Sequence, residues 1–310
     1  MNEILVKGLS YTYPNGRGVK NINLAVSSGQ AIGFLGPNGA GKTSTIRAIM
    51  GFLKPDEGFV NINGMNAFSD APEIMKNLGF IAGETAFPEF MTGDEYINFM
   101  IDARAEVLEK EKRAEAKKAM QTEAKRLVEV FDLNSKGKIK KMSKGMKQKV
   151  AIVCAFMHNP DVYILDEPTS GLDPLMQNRF DELLMQKKRD GKVIFISSHI
   201  FAETERICDR LAIIKDGVIV KEASLKELRI GAKKIFNIEA DNVKDIKELF
   251  GSNYESKVIN AGEIEFYVPA DKIHDFVKKL TKADFNDITT KELSLEDAFI
   301  SYYDTDKEGK

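Results

Sequence analysis

The sequence predicts an α/β fold, a largely parallel sheet covered by helices on both faces, followed by a smaller α+β domain. Three observations predict it. Apolar runs at 31–35, 162–165 and 193–196 are interleaved with helical patterns, and strands that are apolar throughout are strands buried on both faces. Gly36-Pro37-Asn38-Gly39-Ala40-Gly41-Lys42-Thr43 directly follows the first of these runs and opens a helix. After about residue 228 the periodicities change to a β-α-β-β-α-β order, the ferredoxin-like arrangement. The expected domains are 1–228, with a helical subdomain at about 84–160, and 229–310.

Taken in order, residues 1–30 alternate β-rich runs with turns: Ile4-Leu5-Val6, Tyr11-Thr12-Tyr13, Pro14-Asn15-Gly16, then Ile22 to Val26 with a period of two. From Thr43 apolar residues recur at helical spacing (Ile46, Ile49, Met50, Leu53), and Lys54-Pro55-Asp56 is the expected stop. Residues 94–132 read as a charged, solvated helical segment whose apolar positions are too sparse for a coiled coil. Asp216-Gly217 between two β runs signals a hairpin. Beyond residue 228, the expected order is a strand over Lys234 to Ala240 and a helix on Val243, Ile246, Leu249 and Phe250. A hairpin turning at Ala261-Gly262 follows, then a helix on Ile273, Phe276, Val277 and Leu280, and a strand within 285–293. Ser294-Leu295-Glu296-Asp297 reads as a capping box, and 304–310 as a frayed tail.

Composition bounds the function. The 310 residues are 43% hydrophobic and 30% charged, as in folded globular proteins. The 47 acidic and 45 basic residues give a net charge of −2, which disfavours a polyanion-binding protein. Seven lysines between Lys136 and Lys149 read as an exposed basic face; with no interleaved aromatics, no nucleic acid is expected. No apolar run approaches the roughly 18–20 residues needed to span a bilayer. Met1 to Gly8 lacks a signal-peptide pattern, so a cytoplasmic chain is expected. Cys154 and Cys208 sit in apolar surroundings and read as core residues.

The chemistry concentrates at strand ends. In the GxxxxGKT run, glycines let main-chain N–H groups turn in around phosphate oxygens, and the helix N-terminus adds partial positive charge. Lys42 supplies an ammonium for the β/γ-phosphates, and Thr43 a hydroxyl for Mg²⁺. Asp166-Glu167 follow the second strand, where a sheet of this kind gathers its ligands. Asp166 suits the Mg²⁺ shell, and Glu167 suits a residue that polarises an attacking water. His199 ends the third strand through Ser197-Ser198 and is a candidate γ-phosphate contact.

Together these residues resemble the nucleotide-binding subunit of an ABC transporter over about residues 3–225, in the bacterial ABC-2 and drug-resistance exporter branch. The resemblance makes Gly36–Thr43, with Ser44, the Walker A segment. It makes 162–167 Walker B, Ser170-Gly171-Leu172-Asp173 the D-loop, and His199 the switch histidine. Tyr13 stands where the family stacks adenine. Met142-Ser143-Lys144-Gly145-Met146 stands for the family signature Leu-Ser-Gly-Gly-Gln, which binds nucleotide held by the opposite subunit. The resemblance therefore implies a P-loop NTPase domain of ABC type, a mixed sheet with an antiparallel β subdomain and a helical subdomain, with ATP and Mg²⁺ as ligands and ATP hydrolysis as the reaction. It implies a homodimer or heterodimer of ATPase subunits and an integral membrane permease as partner, which holds the chain on the inner face of the membrane. Gly83 occupies the place of the Q-loop glutamine; it has no side chain to ligate Mg²⁺, and the adjacent Glu84 or a water is the candidate substitute. Leu293 to Phe299 is similar to the ending of the accessory domain found in that branch, for which dimer stabilisation or regulation is weighed against a packing role. The docking segment is expected around 83–96, with Phe87, Pro88, Phe90 and Met91 as contact candidates or local core. The competing class is a soluble ATPase of the same type with a regulatory, ribosome-associated or nucleic-acid-associated role. Only about 100 residues separate Lys42 from Ser143, too few for the long inserted coiled coil of the chromosome-type members.

Overall fold

The computed structural model describes residues 3–225, 227 and 233–292. The chain divides into two compact units, Met1–Glu222 and Ala223–Lys310.

The first unit holds two sheets. β1 (Glu3–Thr12), β2 (Gly18–Ser27), β4 (Glu57–Ile62) and β5 (Met65–Asn66) form an antiparallel sheet in the order β2-β1-β4-β5. Its alternation turns Ile4, Val6 and Leu9 of β1, and Ile22, Leu24 and Val26 of β2, into the core. The turn between β1 and β2 is closed by Tyr13 N–H on Arg17 O (2.7 Å) and Gly16 N–H on Tyr13 O (2.8 Å).

The second sheet contains β3 (Ala31–Leu35), β6 (Leu78–Ile81), β7 (Val162–Asp166), β8 (Val193–Ser198), β9 (Arg210–Lys215) and β10 (Val218–Ser224). Their order is β10-β9-β3-β8-β7-β6, and β9, β3, β8, β7 and β6 run parallel. All residues of β3, β7 and β8 are buried, as their unbroken apolar runs require. β8 runs two residues beyond the apolar stretch, so Ser197 and Ser198 are buried inside the strand instead of following it. Asp216 and Gly217 turn the β9–β10 hairpin with φ of 47° and 80°, the left-handed pair that a tight two-residue turn demands.

α1 (Lys42–Ile49) packs into one contiguous core shared by both sheets. It stops before the Lys54-Pro55 signal. Gly51 N–H bonds Ala48 O and Phe52 N–H bonds Arg47 O, a Schellman ending that releases Leu53 from the helix. α2 (Ala71–Lys76) precedes β6. The charged segment is two helices, α3 (Gly93–Glu106) and α4 (Arg113–Val130). A capping box starts α3, with Glu95 N–H on Thr92 Oγ1 (3.2 Å) and Thr92 N–H on Glu95 Oε2 (2.7 Å). α5 (Lys144–Phe156) is buried from Val150 onward, α6 (Pro174–Arg189) links β7 to β8, and α7 (Phe201–Glu205) links β8 to β9. Cys154 and Cys208 are free and buried, and burial pushes both thiols up, Cys154 to about 12.

The second unit follows the expected order: β11 (Lys233–Glu239), α8 (Val243–Phe250), β12 (Glu255–Asn260), β13 (Glu263–Pro269), α9 (Ile273–Leu280) and β14 (Asp287–Glu292). The sheet order β12-β13-β11-β14, antiparallel throughout, is the ferredoxin-like pattern. Phe236, Phe250, Phe266 and Phe276 form the centre of its own core. The capping box at Ser294-Leu295-Glu296-Asp297, the 293–299 ending and the tail lie outside the described residues. Among the described residues no helix is long and apolar enough to cross a membrane.

Candidate nucleotide site

β3 delivers Gly36, and the loop to Gly41 wraps the N-terminus of α1. Gly41 has φ of 112°, and a Cβ there would lie 2.8 Å from Val19 Cγ1, so no other residue fits the start of the helix. The β9–β10 turn braces the loop from outside through Gly217 N–H on Ala40 O (2.9 Å). Lys42 is 6% exposed. Its Nζ donates to Gly36 O (2.6 Å) and Pro37 O (3.3 Å) and stands 3.8 Å from Glu167 Oε1. Burial lowers its pKa, and the negative charges of Glu167 and Asp166 pull it back up.

Sheet register brings the acidic pair alongside. Asp166, at the end of β7, pairs with Ser197 of β8, whose hydroxyl donates to Asp166 Oδ1. Asp166 is 7% exposed, and burial raises its pKa. The Ser197 hydrogen bond opposes that rise, Glu167 adds to it, and Lys42 and the main-chain N–H of Gly83 also oppose it. Glu167 sits in the left-handed region at φ 47°. There its N–H reaches Ser197 O (3.1 Å), its carbonyl accepts from Ser170 N–H (3.1 Å), and its Oε1 lies 3.0 Å from His199 Nδ1. That strained turn aims the carboxylate between lysine and histidine.

A cavity of about 350 Å³ lies over this floor. Tyr13, Pro37, Asn38, Gly39, Gly41, Lys42, Thr43, Ser44 and Glu167 are among its lining residues, so most of the loop expected to bind phosphate does line it. Ser44 Oγ donates to the Tyr13 hydroxyl at 3.4 Å. Asn15, Arg17 and Gly18 line it too and were not legible as site residues; the only signal was a cation in the turn just after Tyr13.

The other expected residues form a second group. Ser143 caps α5, its Oγ accepting Met146 N–H at 3.2 Å. Gly145 packs on the D-loop so closely that a Cβ would stand 2.4 Å from Gly171 O. Asp173 caps α6 through Met176 N–H (3.0 Å), and buried Gln148 donates to Pro168 O (2.7 Å), tying α5 to the Walker B turn. Neither Ser143, Lys144, Gly145 and Met146 nor Ser170, Gly171, Leu172 and Asp173 line the cavity. Glu84 is exposed and does not line it either.

Among the described residues no three His, Cys, Asp or Glu side chains stand together as a metal cage. The available donors are the exposed Thr43 hydroxyl at the mouth of α1 and the Asp166 carboxylate. That set suits Mg²⁺, which keeps waters and shares substrate phosphates instead of filling a protein cage.

A glycine-rich loop on a helix N-terminus, a buried lysine and a strand-end Asp-Glu pair define a P-loop ATPase. Comparison with known proteins carries the assignment further. The family described as ABC transporter matches residues 19–170. The bacitracin transport ATP-binding protein BcrA of Bacillus licheniformis is 32% identical over 301 residues, covering 94% of each chain. The ATP-binding protein NatA of Bacillus subtilis is 32% identical over 237 residues, 76% of this chain and 90% of NatA. A solved ATP-binding subunit of an ABC transporter, 32% identical, superposes with a TM-score of 0.65 over 73% of this chain and 91% of its own. The MJ0796 cassette, solved as a dimer with ADP and Pi, is 24% identical at a TM-score of 0.60 over 72% of this chain and 98% of its own, a likeness of fold. The chain belongs to the ABC transporter ATP-binding proteins. It is accordingly an ATPase that uses ATP with Mg²⁺.

Proposed function

We propose that this chain is the ATP-hydrolysing subunit of an exporter, that it drives a separate membrane-spanning permease, and that it works as a nucleotide-sandwich dimer with a second copy or a relative. The observation that carries this reading is the division of the site. Pro37 to Gly39, Gly41 to Ser44 and Glu167 line one cavity, with Asp166 buried behind Glu167, while the capped N-terminus of α5 and the Ser170–Asp173 turn form another surface that does not reach it. One chain thus holds two half-sites, and a second chain completes each.

In this scheme the loop from Gly36 to Thr43, with Ser44, receives the phosphates, and Tyr13 stacks on the adenine. Thr43 and Asp166 would hold Mg²⁺, which would neutralise phosphate charge, and water or the exposed Glu84 would complete its shell. Glu167 polarises the attacking water and His199, 3.0 Å from it, orients that carboxylate and meets the γ-phosphate. Ser143, Lys144, Gly145 and Met146 receive the phosphate held by the opposing chain. ATP closes the dimer and hydrolysis reopens it.

The permease docks on the segment after β6. Phe87 is half-buried against Tyr96 (5.1 Å), whereas Phe90 is 74% exposed and Phe99 52%. Exposed aromatics on a charged helical segment favour a partner surface over local core. The permease then holds the chain on the cytoplasmic face of the membrane. The transporter role is supported by the end-to-end likeness to BcrA, a bacitracin transport ATP-binding protein. The C-terminal unit, with a core of its own, is assigned to dimer stabilisation or regulation.

The test is a pull-down of tagged Glu167→Gln protein from mildly solubilised membranes with and without ATP. Recovery of a multi-spanning protein is the expected result. Recovery of soluble protein, ribosomes or nucleic acid alone would leave an ATPase that is not a transporter subunit.

A further inference from the structure

We propose that a second cavity in the first unit binds a small organic anion, whose phosphate or carboxylate head meets Arg104 and Lys187 and whose apolar body lies against α4. The cavity measures about 840 Å³, within the roughly 300–1,000 Å³ usual for small-molecule sites. It shares no lining residue with the nucleotide cavity. Asn77, just before β6, and Asn159, shortly before β7, line it, so it lies at the strand ends opposite those that carry Asp166 and the phosphate loop. Leu108 beyond α3, Ala116, Ala119 and Met120 of α4, and Met157 beyond α5 give it an apolar wall.

Its charges do not balance. Among the described residues the buried lysines are Lys42 and Lys187, each 6% exposed. Lys42 stands at the phosphate loop; Lys187 lines this cavity. Lys187 Nζ donates to the side-chain oxygen of Asn159 (2.8 Å), a neutral acceptor, and Glu123 and Asp190 act on it only from beyond ion-pair distance. The Arg104 guanidinium reaches only main-chain oxygens, Met75 O at 3.5 Å and Leu78 O at 3.3 Å, and its Nε is buried without a partner. The carboxylates in the cavity wall are already engaged, Glu73 by Lys76 and Glu123 by two nitrogens of Arg126 (2.7 and 2.8 Å). His158 adds no charge near neutral pH, and its buried Nδ1 has no partner either. Two sheltered cations thus share one cavity with no counter-ion from the chain. A sheltered charge without a partner is costly, and an oxyanion offsets both cations with charge-assisted hydrogen bonds.

The experiment is a calorimetric titration of the full chain, with ADP and Mg²⁺ saturating the nucleotide site. Phenyl phosphate and benzoate are the organic anions and distinguish the two head groups. Inorganic phosphate lacks the body, and benzyl alcohol lacks the charge. Phenyl phosphate or benzoate is expected to bind once per chain, roughly tenfold or more tighter than inorganic phosphate and benzyl alcohol. Lys187→Met and Arg104→Met remove one charge each, an exchange of a buried charge for apolar bulk that proteins commonly tolerate. Each is expected to weaken the organic anion roughly tenfold or more and to leave ADP affinity, which reports an intact fold, unchanged. Ala116→Phe, at a partly exposed position of α4, crowds the apolar wall. It is expected to weaken the organic anion and leave inorganic phosphate alone. Where a methionine variant loses ADP as well, Ala116→Phe decides. Organic anions that bind no better than inorganic phosphate and benzyl alcohol would overturn the proposal. So would undiminished binding in a folded methionine variant or in Ala116→Phe.

Discussion

Ser197→Ala isolates the hydrogen bond that holds the Asp166 carboxylate. Ser197 is fully buried at the end of β8, and its hydroxyl donates to Asp166 Oδ1. The substitution removes one oxygen and introduces no clash, so the loss is that of a hydrogen bond to a buried charged acceptor, about 1.5–3 kcal/mol. The full loss is expected in the nucleotide-free protein near neutral pH, where desolvation of the carboxylate is then less compensated. Mn²⁺ affinity in the presence of ADP is expected to fall about 10- to 100-fold, because the ligand loses its orienting partner. Urea unfolding gives the first quantity, read on the transition that nucleotide shifts, since the second unit has its own core. A titration of Mn²⁺ in the presence of ADP, followed by electron paramagnetic resonance, gives the second. Ser198→Ala is the control. Ser198 is equally buried one residue on, but its hydroxyl donates to Glu203 Oε2 (2.9 Å) and accepts from Ile200 N–H (2.9 Å). It should cost stability and leave metal affinity alone. Equal metal affinity in Ser197→Ala and wild type would refute the reasoning, as would a loss of the same size in Ser198→Ala.

Two further outcomes follow from the same structure. Lys42→Ala removes a cation whose charge-assisted bonds are worth about 1.5–3 kcal/mol each, so ATP affinity should fall more than roughly tenfold in a binding titration. His158 supplies a pH dependence far from the site. Its Nε2 lies 3.2 Å from Leu78 O, its Nδ1 is buried without a partner, and burial, with Arg104 nearby, lowers its pKa to about 3. The folded pKa lies below the unfolded value near 6.5, so the unfolded chain binds the extra proton between the two. Stability is full above about pH 6.5 and is lost as pH falls below it. At pH 5.5 that loss is about 1.4 kcal/mol, and denaturation of His158→Asn at pH 7.5 and 5.5 should show a difference smaller by about that amount.

What was legible in the sequence was chemistry that needs fixed residue types at fixed spacing. Gly36 to Thr43 had to follow a strand and open a helix, and Asp166-Glu167 had to end one; both do. The β-α-β-β-α-β order was legible because each element carries its own period. What escaped acts through the main chain or across the sheet. Ser197 read as the residue after a strand, because a polar side chain inside an apolar run makes sense only once Asp166 is seen beside it. Arg17 and Asn15 read as turn residues, and the fold alone places that turn at the rim of the cavity. The stop of α1 was misplaced for a similar reason, the Gly51 ending being a local hydrogen-bond pattern four residues ahead of the more conspicuous proline.

In the proposed dimer, two half-sites on one chain become whole sites between two. Light scattering on size-separated Glu167→Gln protein, with ATP and Mg²⁺, with ADP and Mg²⁺, and without nucleotide, tests it most directly. A dimer with ATP and monomers in the other two conditions are expected, because Glu167→Gln keeps the binding surface and removes the group proposed to polarise water. Tight ATP binding by a chain that stays monomeric, alone and with its co-purified relative, would contradict it.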